Sequence, residues 1–176
     1  MSDLFIEVLD NEGTDSVCRV LSEFLPDGAV VSLEGTLGAG KTRLVQGVAK
    51  YAGVEDGIVT SPTFVLVKEY EGEREIYHFD LYRLESESEF KQLDPEDYFN
   101  RNGITFIEWG NKFPQLLPKE ILTIKIEITG ESSRIFNFIA VGETFDETIE
   151  ALKTHETVKD RRDTKDKIES NYSVVQ

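Results

Sequence analysis

Ala29-Val30-Val31-Ser32-Leu33-Glu34-Gly35-Thr36-Leu37-Gly38-Ala39-Gly40-Lys41-Thr42 is the stretch on which the reading of this 176-residue chain turns. Residues 29–33 are an almost wholly apolar run, the pattern of a strand buried on both faces of a sheet. Residues 35–42 fit G-x-x-x-x-G-K-[ST], and a helix is expected from about Lys41 to Ala52, stopped by Gly53. Glycine reaches backbone angles closed to other residues, so successive N–H groups can converge on phosphate oxygens. The expectation is a P-loop. Lys41 would neutralise β- and γ-phosphates, the Thr42 hydroxyl would reach Mg²⁺, and the start of the helix would add its positive dipole end.

Such a loop needs an acid on its metal side, because Mg²⁺ takes oxygen ligands. Ile104-Thr105-Phe106-Ile107 reads as a second buried strand and ends on Glu108; Ile76 to Phe79 ends on Asp80. The Glu108 carboxylate would arrive at the C-terminal edge of a parallel sheet, beside the phosphates, and a second acid at a strand end in so small a domain favours a functional role for the pair. Glu108 is the favoured metal ligand, direct or through water, and Asp80 the residue that orients metal-bound or attacking water. Those two roles are exchangeable at this stage. Arg83 either binds phosphate, stabilises a transition state or pairs with a surface carboxylate. His78 reads as an oriented or packed ring, not a metal ligand, and Trp109 as packed under the site or exposed for a partner or base. The loop Thr60-Ser61-Pro62-Thr63-Phe64 is either a γ-phosphate sensor or a turn fixed by Pro62.

The remaining pattern surrounds this unit with mixed elements. Phe5 to Leu9 is an expected strand, and Thr14 a candidate N-cap of a helix to Leu25. Phe64–Tyr70 and Glu75–Phe79 form an expected hairpin, and residues 85–100 a helix in two pieces divided near Asp94-Pro95. Leu122–Ile128 and Ile135–Ile139 form a second hairpin, expected at an antiparallel edge of the sheet, before a closing helix over Phe145–Leu152. The fold class is α/β: a single P-loop NTPase domain with a mixed parallel and antiparallel sheet flanked by helices. It spans residues 1–153, and residues 154–176 are a polar extension, read as a frayed helix or disordered.

Charged residues are 30% and hydrophobic residues 39%, which suits a globular domain. Lys plus Arg total 19 against 34 for Asp plus Glu, a formal charge of −15. A chain so acidic should repel bare nucleic acid and anionic lipid. Cys18 is the single cysteine, which excludes an internal disulfide and a multi-cysteine zinc site. The start, Met1-Ser2-Asp3-Leu4, lacks a signal-peptide pattern, and no apolar run approaches the roughly 20 residues of a membrane span. A cytoplasmic location is expected.

Four motifs in order, GTLGAGKT at 35–42, TSPTF at 60–64, HFDLYRL at 78–84 and IEW at 107–109, resemble the TsaE family, formerly YjeE. The resemblance covers roughly residues 5 to 140. It implies a small bacterial ATPase required for threonylcarbamoyladenosine in tRNA, acting with TsaD and TsaB and reaching tRNA only through them. It further implies ATP phosphates on Leu37, Gly38, Ala39, Gly40, Lys41 and Thr42, Mg²⁺ at Thr42 and Glu108, and Asp80 assisting hydrolysis. Thr14 would border the adenine, and Arg134 would contact the nucleotide from the start of the last core strand. The chain departs from the family pattern at Thr36 (usually aspartate), Arg43 (threonine), Cys18 and Asp94 (glycine) and Gly110 (proline).

Other activities fit less well. A P-loop kinase would need an arginine-rich lid, which the chain lacks, and a non-catalytic ATP-dependent scaffold would bind without turnover. A GTPase would offer Asn-Lys-x-Asp, but Asn111-Lys112-Phe113-Pro114 carries Pro114 where the guanine-reading carboxylate belongs.

Overall fold

The computed structural model describes residues 2–154 and 159–160. Its strands are β1 (Ser2–Val8), β2 (Val30–Glu34), β3 (Val67–Tyr70), β4 (Ile76–Asp80), β5 (Ile104–Glu108), β6 (Ile121–Ile128), β7 (Arg134–Val141) and β8 (Lys159–Asp160). They form one eight-stranded sheet in the order β3-β4-β5-β2-β6-β7-β1-β8. Strands β4, β5, β2 and β6 run parallel to one another; the others add antiparallel on either side. The fully parallel centre explains the continuous apolar runs at 29–33 and 104–107, since both faces there are covered.

The helices are α1 (Asn11–Phe24), α2 (Lys41–Tyr51), α3 (Glu87–Lys91), α4 (Pro95–Phe99) and α5 (Asp146–Thr154). Alternation along the strands divides the core in two. Val31, Leu33, Phe106, Leu122 and Ile124 pack with Val17, Leu21, Leu44, Val48 and Leu152 from α1, α2 and α5. Val30, Tyr77, Phe79 and Ile107 face the other way, onto Phe90, Phe113 and neighbouring residues of the 81–117 region. Asp80 and Glu108 therefore project on the α2 side, in phase with Ile76 and Phe106.

Three expectations change. Asp10, not Thr14, caps α1: its Oδ1 accepts the Gly13 N–H at 2.8 Å, and Thr14 lies inside the first turn. The β6–β7 hairpin is internal, because β6 pairs with β2 while β1 pairs with β7 over its whole length. In the polar extension, residues 159–160 pair with Ile6 and Glu7 of β1, so this part is a short strand. The rest of the extension lies outside the described residues. No helix among the described residues is long and apolar enough to cross a membrane.

Two family departures acquire a physical reason. Asp94 adopts φ 50°, a left-handed angle that suits glycine and that aspartate tolerates better than most residues. Cys18 occupies the space beside Gly47 in the α1–α2 contact, where a Cβ on residue 47 would lie 2.4 Å from Sγ and 2.8 Å from the Cys18 Cβ. Gly47→Ala is expected to destabilise the fold by about 1–3 kcal/mol, the usual cost of overpacking. Cys18→Ala should recover part of that loss, as measured by urea unfolding. Burial, reinforced by Asp15, pushes the Cys18 thiol up to about 12. An unfolded thiol ionises near about 8.5, so the native contribution is complete below that pH and is lost as pH rises towards 12, by about 1.4 kcal/mol per pH unit. Urea midpoints should therefore fall more steeply between pH 8 and 10 in the natural chain than in Cys18→Ala.

Candidate functional site

The loop between β2 and α2 carries the site. Gly38 and Gly40 have φ of 80° and 111°, and a Cβ on either would project into open space, so the concave side of the loop is clear. Gly35 serves a different need: a Cβ there would meet the Ile126 carbonyl oxygen at 2.6 Å, so only glycine lets the loop lie against β6. Arg134, at the start of β7, donates from Nε to the Ala39 carbonyl at 2.9 Å and from Nη1 to the Gly130 and Ser133 carbonyls. Its described bonds thus brace the loop from the β6–β7 turn.

Lys41 opens α2 but folds back over the loop, its Nζ donating to the Gly35 and Thr36 carbonyls at 3.0 Å each. The ammonium also sits 4.0 Å from the centroid of the Trp109 ring. Burial pushes this lysine below its ordinary pKa, while Glu108 and Asp80 act in the opposite direction. A desolvated cation facing two carboxylates is costly to the fold, as ligand-binding groups often are.

The two acids stand side by side because β4 and β5 are parallel and in register, Asp80 against Glu108. Both are buried. Glu108 Oε1 accepts the Thr42 hydroxyl at 2.6 Å and lies 2.9 Å from His78 Nε2. Asp80 Oδ1 accepts the Tyr82 N–H at 3.0 Å, whereas Oδ2 accepts the hydroxyls of Ser61 at 3.2 Å and Thr63 at 2.6 Å. The segment Thr60–Phe64 is thereby latched to Asp80 through two hydroxyls.

Loop, helix start and acids enclose a cavity of about 360 Å³ lined by Gly38, Gly40, Lys41, Thr42, Asp80, Glu108 and Trp109, among others. The donor set is a hydroxyl and two carboxylates, hard oxygens suited to Mg²⁺ and not to a soft thiophilic ion. Among the described residues no cluster of three His, Cys, Asp or Glu side chains forms a self-sufficient metal cage. That combination fits a cation that brings further ligands with it. The glycine-lined hollow with Lys41 at its edge fits an anionic chain.

Lys41, Thr42, Asp80 and Glu108 thus converge as expected. Thr14, expected on the adenine side, lines a neighbouring cleft of about 220 Å³ with Cys18, Gln46, Gly47 and Lys50, and its hydroxyl donates to the Asp10 carbonyl at 3.3 Å. Arg43 lines both cavities and so links them. Trp109 neither hides under the site nor stands free; it lines the main cavity and rests 5.3 Å from the Tyr82 ring. Arg83 lies over the exposed Phe64 ring at 5.1 Å. Gly110 follows Trp109, and a Cβ there would fall 2.4 Å from Ser32 Oγ, which accounts for glycine in place of proline. Arg43, a departure that could alter the shape of a nucleotide pocket, does line the cavity, whereas Tyr82 is a lining residue that sequence reasoning missed. Its only signal was its spacing, two residues after Asp80.

Taken together, the sheet order and the strand–glycine loop–helix unit define a single α/β domain with a mixed parallel and antiparallel sheet flanked by helices. A family model described as threonylcarbamoyl adenosine biosynthesis protein TsaE matches residues 8–136. Over 159 residues the chain is 38% identical to the tRNA threonylcarbamoyladenosine biosynthesis protein TsaE of Bacillus subtilis, covering 90% of this chain and 99% of the relative. The protein of that name from Synechocystis is 45% identical over 112 residues, 61% of this chain and 70% of the relative. A crystal structure of Bacillus subtilis YdiB is similar with a TM-score of 0.74 and 32% identity, covering 88% of this chain and 97% of that one. The chain belongs to the TsaE family.

Proposed function

We propose that this protein is a cytoplasmic ATP-binding and Mg²⁺-dependent ATP-hydrolysing component of the machinery that makes threonylcarbamoyladenosine in tRNA, acting with TsaD and TsaB. The observation that carries the reading is the juxtaposition of Lys41 and the open glycine hollow with two buried acids at matched positions of β4 and β5. Phosphoryl transfer asks a protein mainly for positioning and charge, and these groups supply both. Bound Mg²⁺ would neutralise charge on the β- and γ-phosphates, held by Thr42 and Glu108. The loop N–H groups from Leu37 to Thr42 grip phosphate oxygens, Lys41 exchanges its loop carbonyls for phosphate, and Asp80 orients the attacking water.

The latch on Asp80 supports slow turnover in isolation. With Ser61 and Thr63 donating to Oδ2, that oxygen is occupied until the 60–64 segment moves. Docking of a protein partner on this segment is a means of freeing it. The acidity of the chain, −15 overall, supports contact with tRNA through partners and not directly. The test is ATP hydrolysis by the purified chain, alone and with TsaB and TsaD homologues. Slow turnover that rises at least ~10-fold with both partners is expected for a site completed in trans. Transfer of phosphate to a small acceptor would support a kinase instead, and tight binding with no turnover under any condition would support a scaffold.

A further inference from the structure

Glu108 reaches backwards to find a partner. His78 and Asp80 lie two residues apart on β4, so they share the face on which Glu108 stands in β5. The glutamate side chain leans past Asp80, and its Oε1 comes to 2.9 Å from His78 Nε2. His78 is fully buried, and its Nδ1 has no hydrogen-bond partner among the described residues. A hydrogen on Nδ1 would be a stranded donor, whereas a hydrogen on Nε2 meets a carboxylate oxygen.

We propose that His78, as the Nε2–H tautomer, is a positioning residue for Glu108. Together with the Thr42 hydroxyl at 2.6 Å, it holds Oε1 from two directions and leaves Oε2 for the cation or its water. Resting on the ATPase reading above, this assignment deepens it by naming what fixes the metal-side acid. The site places one pre-set oxygen instead of a freely rotating carboxylate, the usual task of an outer-shell partner.

Side-chain length allows a sharp test. Glutamine carries its amide nitrogen about where Nε2 of histidine lies, whereas asparagine carries it near Nδ1. In the full-length chain, His78→Leu and His78→Asn should lower Mg²⁺-dependent ATP turnover or apparent Mg²⁺ affinity about 10- to 100-fold. His78→Gln should restore most of it. ATP affinity measured in EDTA, which depends on the loop and not on Glu108, should stay near that of the natural chain in any folded variant. Independently of catalysis, ¹⁵N NMR of the natural chain should report the Nε2–H tautomer; His155 is the only other histidine.

An unchanged Mg²⁺ response in His78→Leu, no advantage of Gln over Asn, or an Nδ1–H tautomer would overturn the assignment. A natural chain lacking any Mg²⁺-dependent step with ATP would overturn the ATPase reading itself, and this assignment with it. The tautomer measurement needs no ATP and stands even if a substituted chain fails to fold.

Discussion

Lys41→Met should lose ATP binding while keeping, or slightly raising, its melting temperature. The lysine's ammonium is held inside the loop, bonded to the Gly35 and Thr36 carbonyls and facing two acids. Charge-assisted hydrogen bonds are worth about 1.5–3 kcal/mol each. Loss of contact with two phosphates should therefore weaken binding by at least about 100-fold, beyond the range of an ordinary titration. Stability moves the other way because burial holds this ammonium below its ordinary pKa, a sign that the fold bears a cost for the charge. Methionine keeps the apolar stem without that cost. Calorimetric titration with ATP, paired with thermal unfolding, reads both effects in one preparation. Tight ATP binding by Lys41→Met would overturn the P-loop assignment, and a collapse in melting temperature would recast Lys41 as a structural brace.

The second large effect belongs to Glu108. Glu108→Gln keeps the shape of the side chain and should leave ATP binding in EDTA nearly intact, yet cut Mg²⁺-dependent turnover by about 10²–10³, the scale of losing one preorganised electrostatic contact. Glu108→Ala should add a stability loss of about 1–3 kcal/mol, since Thr42 and buried His78 both lose their acceptor. Asp80→Asn, assayed in parallel, separates the two acids. If Mg²⁺ dependence follows Asp80 and not Glu108, the metal-side and water-side roles are exchanged. Full activity in both variants would remove the acids from the chemistry altogether.

Much of this arrangement was legible in the sequence because its signals are local. The glycine spacing, the buried run before it and an acid at the end of each of two apolar strands are all read within a few residues. The helix break near Asp94-Pro95 was legible for the same reason. The errors arise where distant segments decide. Nothing between Leu122 and Ile139 announces that β1, more than a hundred residues earlier, covers the hairpin and makes it internal. Thr14 resembles a cap in isolation, but Asp10 is placed to take the Gly13 N–H, and the helix starts earlier. The bonds from Ser61 and Thr63 to Asp80 depend on how a loop crosses a strand edge, which periodicity does not encode. Likewise His78 could be read as oriented or packed, but the oxygen that orients with it lies thirty residues away.

Trp109 offers a practical return from its place against Lys41. It is the sole tryptophan of the chain, and its indole lies 4.0 Å from an ammonium that must change partners when an anion arrives. The chain thus carries a built-in optical probe: its intrinsic emission, with no dye attached, should change on titration with ATP and so report the filling of the cavity in real time. Stopped-flow mixing can then separate the arrival of the anion from slower events at the neighbouring segments.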